Sequence, residues 1–290
     1  MDIDADGHSD ILSGSYAESG KREEMAGLFQ VLRGNSDGTF EKAVPLLGTD
    51  NRPLKLPSQQ GRSLPTDALC TRPFAIDWDG DGDLDLVVGN FTGSFHIFTG
   101  EGRGRFPPQA TPLNGPAGPL QLHGDLGGHS DPFVIDFDGD GDLDLLTGSA
   151  SGGVWWAENG AGPKKLPMLH NLVELIAAPP KDQDVQTRPE NVRAPARATR
   201  VWAADMNGDG KLDVLVGDNA VLISPARGVS EEEFEKRRAE WTDSMNALRK
   251  RMRSARAGES REEELLQLYE KRKEFLIEDR TGFVWLYLRK

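Results

Sequence analysis

Short apolar segments that end in glycine recur along the chain. Three of them are 86–89, 145–148 and 214–217. Further apolar segments, 73–76 and 132–135, precede the first two, and nine mostly polar residues separate each from its partner. Runs of this length, rich in β-branched and aromatic residues and bounded by turn residues, predict strands rather than helices. The pattern therefore predicts pairs of strands joined by a polar loop.

A glycine followed by aromatic and aliphatic residues predicts a third strand after each pair. The segments 27–32, 93–98, 153–157 and 282–287 share this pattern. A glycine-rich turn then leads to a fourth predicted strand after Gly38 and after Gly104, with a looser version near 159–160. Four-stranded units repeated in series are typical of β-propeller blades.

The polar loops are themselves a repeat. Four segments, 2–10, 77–85, 136–144 and 205–213, fit the pattern D-x-[DN]-x-D-G-x-x-D. Together they contain 17 aspartates, whereas the formal net charge of the 290-residue chain is −13. The acidity of the protein is thus concentrated in these loops, and it argues against a general nucleic-acid binder, which needs clustered Lys and Arg.

Carboxylates crowded into nine residues repel one another unless a cation neutralises them, and Ca²⁺ accepts six to eight oxygen ligands in flexible geometry. We expect side chains at loop positions 1, 3, 5 and 9 and the carbonyl at position 7 to bind the ion. Glycine at position 6 suits a sharp turn, and the stricter octahedron of Mg²⁺ fits less well. An EF-hand is excluded, because position 12 is never Glu and strands flank the loops; the residues at position 12 are Ser13, Val88, Thr147 and Val216.

The sequence DGDGDLDLVVG at 79–89 resembles the FG-GAP/VCBS repeat family, which includes the blades of the integrin α-subunit propeller. This resemblance implies an all-β propeller that holds up to four Ca²⁺ ions in loops between the first two strands of its blades. It assigns as side-chain ligands Asp2, Asp4, Asp6, Asp10, Asp77, Asp79, Asp81, Asp85, Asp136, Asp138, Asp140, Asp144, Asp205, Asn207, Asp209 and Asp213. His8, Asp83, Asp142 and Lys211 are expected to contribute their backbone carbonyls.

The predicted blade units are 1–50, 70–115, 130–178 and 198–290. Propellers of the family often have seven blades, so we expect either a piece of a longer chain or a ring that is open or closed in an unusual way. The last unit contains an insertion, 229–280, that predicts a helical hairpin. It begins with a capping box at Ser230 and Glu233, and its second helix extends to Leu276. The hairpin is interpreted either as a docking arm for a partner or as a cap on the propeller edge.

The leading functional hypothesis is a non-catalytic, calcium-binding propeller that serves as an adhesion, binding or scaffold module for a protein or glycan. Calcium-dependent folding suits an extracellular, cell-surface or periplasmic location, with an export signal that is either upstream of Met1 or lost. No stretch of about 18 apolar residues predicts a membrane span. The alternative is a calcium-dependent polysaccharide lyase or hydrolase, for which His123 and His129 are candidates, and a third is a structural role in which the hairpin mediates assembly.

Overall fold

The computed structural model describes residues 1–16, 26–56, 68–122, 128–179, 186–254 and 261–290, and the chain divides into two compact units. Unit 1 comprises Met1–Lys181, Ala194–Asn219 and Phe283–Lys290, and unit 2 comprises Asp182–Arg193 and Ala220–Gly282. The elements in chain order are β1 (Ile11–Ser13), β2 (Gln30–Leu32), β3 (Val44–Pro45), β4 (Arg72–Ile76), β5 (Asp85–Gly89), β6 (Phe95–Phe98), β7 (Thr111–Pro112), β8 (Asn114–Gly115), β9 (Gly118–Pro119), β10 (Asp131–Ile135), β11 (Asp144–Gly148), β12 (Val154–Ala157), β13 (Val173–Ile176), β14 (Gln186–Thr187), β15 (Arg197–Ala204), β16 (Asp213–Pro225), α1 (Glu231–Ser254), α2 (Glu262–Lys273), β17 (Leu276–Thr281) and β18 (Val284–Tyr287).

In the part of unit 1 that the structure describes, four antiparallel sheets form propeller blades, and a further two-stranded sheet consists of β8 and β9. Blade 1 is β1-β2-β3, blade 2 is β4-β5-β6-β7, blade 3 is β10-β11-β12-β13, and blade 4 is formed by β15, the first part of β16 and β18. Each strand pairs with the next along the sheet, so that the loop between the first and second strands of blades 2 to 4 lies at the end of the sheet. The predicted all-β propeller is therefore confirmed.

Three apolar clusters lie between consecutive blades. The cluster between blades 1 and 2 includes Phe29 and Leu86, that between blades 2 and 3 includes Phe95 and Leu145, and that between blades 3 and 4 includes Phe133 and Val214. Central strands β5 and β11 are buried at every residue, because both faces of these sheets are covered. This explains why their sequences are apolar without alternation.

A backbone contact of one kind joins each blade to the next. The glycine that ends the second strand abuts the backbone carbonyl of a hydroxyl residue at the start of the next blade. A Cβ at Gly89 would lie 2.3 Å from the backbone carbonyl oxygen of Ser130, and one at Gly148 would lie 2.0 Å from that of Thr199. The residue after each glycine donates its N–H to that hydroxyl, as Ser149 does to Thr199 Oγ1 at 2.9 Å. Glycine is therefore required at this position by the close approach of two blades.

Unit 2 contains the two helices and a three-stranded sheet. Strand β17 pairs with the second part of β16 in antiparallel fashion, and the short β14 pairs with it in parallel. Helices α1 and α2 are antiparallel, since Arg237 bonds to Glu274 and Arg251 to Glu264. Neither helix is long and apolar enough to cross a membrane.

The end of the second helix differs from the prediction. Helix α2 ends at Lys273, and Leu276 begins β17 instead of continuing the helix. Leu276 is buried with Ile223, Phe234 and Phe275 in the apolar cluster of unit 2. Pairing with the free edge of β16 satisfies backbone groups there and orients this side chain inward, so tertiary contacts override the helical spacing.

Candidate metal centres

Each acidic segment forms a tight loop, and we name the segments 2–10, 77–85, 136–144 and 205–213 loops 1 to 4. Loops 2, 3 and 4 connect the first and second strands of their blades, and loop 1 leads directly into β1. The glycine at position 6 has positive φ in all four, with values of 94° for Gly7, 97° for Gly82, 97° for Gly141 and 82° for Gly210. Side chains rarely adopt this conformation, which accounts for the invariant glycine within the repeat.

The aspartate at position 1 organises the loop backbone. Asp77 Oδ2 accepts the N–H of Gly82 at 3.1 Å, and Asp136 Oδ2 accepts the N–H of Gly141 at 3.1 Å. At position 5, the carboxylate accepts the N–H of position 7, as Asp140 does from Asp142 at 3.0 Å. These bonds curl the loop, and in loops 2 and 3 the side chains at positions 1, 3 and 5 lie close to one another.

The structure brings the predicted ligands together in loops 1, 2 and 3. The three-carboxylate groups have ligand atoms within 4.8 Å of one another, and they are Asp77, Asp79 and Asp81 in loop 2, Asp136, Asp138 and Asp140 in loop 3, and Asp2, Asp4 and Asp10 in loop 1. Three acidic oxygens at this separation match the donor set of a hard divalent cation such as Ca²⁺. Carboxylates at such distances destabilise one another in the absence of positive charge.

Buried oxygen atoms without donors support the fit to a cation. Asp77 Oδ1 in loop 2 and Asp4 Oδ1 in loop 1 are buried and accept no hydrogen bond. Burial, followed by the charge of Asp81, raises the pKa of Asp79, and burial raises that of Asp138, with Asp140 and Glu158 adding to the shift. An unpaired buried acceptor is unfavourable unless a positive group faces it, so these residues fit a bound cation.

The aspartate at position 9 is buried in every loop, and its carboxylate links the loop to the segment that follows the third strand. One oxygen accepts the N–H of loop position 2 and the other accepts an N–H just after the third strand; for Asp144 the donors are Phe137 at 3.2 Å and Asn159 at 2.8 Å. Burial raises the pKa of Asp85 and of Asp144 to about 6. Each carboxylate oxygen has a second lone pair, so this role is compatible with the predicted role of position 9 as a ligand.

Loop 1 differs because an arginine lies against its carboxylates. Arg33 Nη1 is 3.1 Å from Asp4 Oδ2 and 3.0 Å from Asp10 Oδ2. Burial acts to raise the pKa of Asp10, but hydrogen bonds from Gly34 and Ile3, together with Arg33, outweigh it and lower that pKa. The sequence analysis missed Arg33. Aligning the third strands beyond the loops would have revealed it, because Thr99, Glu158 and Leu288 occupy its place in the other blades.

Loop 4 has the weakest donor set. Position 3 is Asn207, whose amide Nδ2 donates to Asp209 Oδ2 at 3.1 Å, and position 7 is Lys211. The carboxylates of loop 4 do not form a cluster of the kind seen in the other three loops of the described chain. Fewer negative charges and an amide nitrogen directed at Asp209 both reduce the attraction for a cation.

Position 7 has a role of its own in loop 3. The side chain of Asp142 is buried, its Oδ2 accepts the N–H of Gly162 at 2.7 Å, and its Oδ1 is buried without a donor. The carboxylate of Asp142 therefore fixes the segment after β12, in addition to the carbonyl role predicted for it.

The loops contact the apolar clusters between the blades. Position 2 of one loop packs with position 8 of the next: Trp78 shares a cluster with Leu143, and Phe137 shares one with Leu212. Trp78 Nε1 also donates to the Leu143 carbonyl at 2.9 Å. The conformation of each loop thus affects the packing of two adjacent blades.

The residues considered for catalysis do not form a recognisable catalytic group in the part of the chain that the structure describes. His123 lies outside the described residues. The ring of His129 contacts that of Phe91 at a tilt of 52°, with centroids 4.4 Å apart, and its buried Nε2 has no hydrogen-bond partner. Burial, followed by the charge of Arg72, lowers the pKa of His129. Arg72 itself pairs with Asp131 at 3.2 Å across blades 2 and 3.

A family model described as an FG-GAP-like repeat matches residues 77–147. The matched segment begins at the first aspartate of loop 2 and extends past loop 3 into β11, so the predicted resemblance is confirmed for the segment that contains the two most acidic loops. No curated protein matches the chain.

Proposed function

We propose that this chain is a calcium-binding β-propeller that serves as a non-catalytic binding module. The convergence of three carboxylates within 4.8 Å in loops 2 and 3 carries the proposal. The buried, donor-free Asp77 Oδ1 supports it, because such an oxygen needs a cation or a hydrogen-bond donor. Asp77, Asp79 and Asp81 would hold an ion in loop 2, and Asp136, Asp138 and Asp140 would hold one in loop 3.

Calcium would act by neutralising the loops and by stabilising the contacts between blades. The residues at positions 1 and 5 curl the loop backbone, the aspartate at position 9 anchors it to the third strand, and position 2 extends into the next blade. A ligand that binds only the folded state stabilises it by RT ln(1 + [L]/Kd), which is about 2.7 kcal/mol at a concentration 100-fold above Kd. Each loaded loop would therefore contribute to propeller stability.

An extracellular, cell-surface or periplasmic location belongs to the same proposal, since sites of this kind are filled where calcium is plentiful. The partner would be a protein or a glycan bound on the propeller surface. The proposal is non-catalytic because the described residues offer carboxylates arranged for a cation, and no nucleophile beside a base accompanies them. A screen of glycans and surface proteins, run in calcium and in chelator, tests the binding role.

The calcium role is tested by thermal unfolding in calcium and in excess chelator. We expect the chelator to lower the Tm of the wild-type chain by on the order of 10 °C, since two well-filled loops add several kcal/mol. The double variant Asp81→Ala/Asp140→Ala should lose most of this response. The control variant Glu101→Ala/Asp279→Ala removes the same charge at exposed positions outside the loops. It should retain the chelator response of the wild-type chain.

An unchanged chelator response in Asp81→Ala/Asp140→Ala would refute the assignment of the sites to loops 2 and 3. A wild-type chain whose Tm is the same with and without calcium would refute calcium binding itself.

A further inference from the structure

In the described part of the chain, the carboxylate at position 9 has a partner in loop 1 that it does not have in loop 2. Asp85 of loop 2 accepts one backbone N–H on each oxygen, at 3.0 and 2.8 Å. Asp10 of loop 1 accepts the two equivalent backbone bonds, at 3.0 and 2.9 Å, and its Oδ2 also accepts a hydrogen bond from Arg33 Nη1 at 3.0 Å. Because each carboxylate oxygen has two lone pairs, Arg33 takes one that Asp85 keeps for a cation.

The same nitrogen of Arg33 also reaches the carboxylate at position 3. It lies 3.1 Å from Asp4 Oδ2, so that a single guanidinium nitrogen bridges the carboxylates at positions 3 and 9. Asp4 Oδ1, which is buried without a donor, belongs to the carboxylate that Arg33 neutralises through Oδ2. Arg33 therefore bonds to two of the four side chains that an ion in loop 1 would need.

The carboxylates of loop 1 also converge differently from those of loops 2 and 3. The clustered carboxylates are at positions 1, 3 and 5 in loops 2 and 3, but at positions 1, 3 and 9 in loop 1. In loop 3 the N–H at position 5 bonds to the carboxylate at position 3, at 3.1 Å. In loop 1 the N–H of Asp6 bonds to Asp2 instead, also at 3.1 Å, and the carboxylate of Asp4 pairs with Arg33. Loop 1 is thus arranged around the guanidinium.

The fold holds Arg33 in place beside loop 1. Arg33 directly follows β2, and its carbonyl accepts the N–H of Glu41 at 2.7 Å. Gly104 of blade 2 lies so close that a Cβ there would be 3.5 Å from Arg33 Nη2. A guanidinium is not deprotonated in proteins, so a permanent positive charge stands beside the carboxylates of loop 1. Like charges at short distance repel, and Arg33 therefore opposes a metal ion in this loop.

We propose that Arg33 takes the place of calcium in loop 1, so that blade 1 holds its loop without a metal ion while loops 2 and 3 require one. This inference rests on the proposed calcium function of loops 2 and 3. Asp4 and Asp10 then hold a guanidinium instead of the Ca²⁺ that the family resemblance implies for them. Thr99 and Glu158, which occupy the place of Arg33 in blades 2 and 3, carry no positive charge, so the loops of these blades have no such substitute.

Hydrogen exchange of the full chain, followed in calcium and in excess chelator, tests this assignment. In the wild-type chain we expect the chelator to speed exchange at least about tenfold in peptides that cover 77–85 and 136–144, because emptied loops open more often. Exchange in peptides that cover 2–10 should change by less than about twofold, since Arg33 remains in place when calcium is removed.

The variant Arg33→Thr gives blade 1 the residue that blade 2 has at this place. Peptides covering 2–10 should then exchange slowly in calcium and at least about tenfold faster in chelator. Calorimetric titration of this variant should detect an additional calcium ion relative to the wild-type chain. The control variant Arg52→Thr removes the same charge at an exposed position outside the loops, and it should behave like the wild-type chain in both measurements.

Two results would overturn the proposal while leaving the calcium function of loops 2 and 3 intact. One is a wild-type loop 1 that responds to chelator as strongly as loops 2 and 3 do. The other is an Arg33→Thr variant in which peptides covering 2–10 exchange at the same rate in calcium and in chelator, whether that rate is slow or fast. If none of the loops responds to chelator in the wild-type chain, the proposed function fails and this inference fails with it.

Discussion

Blades 3 and 4 follow one sequence pattern but occupy different surroundings. Gly148 and Gly217 both end the second strand of their blade, yet only Gly148 lies against a neighbouring carbonyl. Phe137 and Met206 both occupy loop position 2, but Phe137 is buried and Met206 is half exposed. The comparison shows that the importance of a repeat position depends on whether a following blade covers it.

The loops of these two blades differ in charge as well. Loop 3 has five aspartates, with Glu158 close enough to raise the pKa of Asp138 further, whereas loop 4 has three aspartates and Lys211. The backbone bonds of the two loops are nevertheless alike, because Asp205 Oδ2 accepts the N–H of Gly210 at 2.9 Å just as Asp136 does from Gly141. Loop shape is therefore common to the repeats, while ion affinity is expected to vary between them.

The largest expected difference between the blades is at loop position 2. Phe137→Ala should lower the free energy of unfolding by about 3–5 kcal/mol, because it leaves a cavity in a packed cluster. Met206→Ala should change it by less than about 0.5 kcal/mol, since the side chain is half exposed. Urea denaturation in saturating calcium measures both values, and equal losses would contradict the view that blade 4 is uncovered.

Alanine in place of the glycine that ends the second strand gives another comparison of blades 3 and 4, with a smaller expected effect on stability. Gly148→Ala places a methyl group 2.0 Å from the Thr199 oxygen and should destabilise by about 2–3 kcal/mol through overpacking. Gly217→Ala has open space and should be neutral or stabilising by up to about 1 kcal/mol. Urea denaturation in saturating calcium measures both changes in the free energy of unfolding. A large loss of stability for Gly217→Ala would mean that another part of the protein already packs against this position.

Exchanging the charges at loop position 3 should have the smallest effect. Under the proposed calcium function, Asp138→Asn should weaken binding to loop 3 about tenfold and Asn207→Asp should strengthen binding to loop 4 by a similar factor, because the number of charged ligands tunes affinity. Calorimetric calcium titration measures both, with Asp279→Asn as the control for overall charge. Affinities that follow total charge alone, so that the control matches Asp138→Asn, would refute the assignment.

The sequence by itself determined the repeat, the strands around each loop and the loop turn, because these depend on local properties. Apolar runs bounded by glycine specify strands, and a turn with positive φ at position 6 specifies glycine. The clustering of Asp77, Asp79 and Asp81 was predictable for the same reason, since their spacing and the N–H of Gly82 lie within one short segment.

Only the tertiary structure decided what depends on distant segments. Arg33 reaches loop 1 from the third strand, and Leu276 enters β17 because β16 offers an edge beside an apolar cluster. The next blade likewise decides whether glycine is required at Gly148 or Gly217. For Gly148, the contacting residue Thr199 lies about 50 residues further along the chain. Local chemistry fixes the form of each blade, whereas burial and long-range approach arise only when blades pack together.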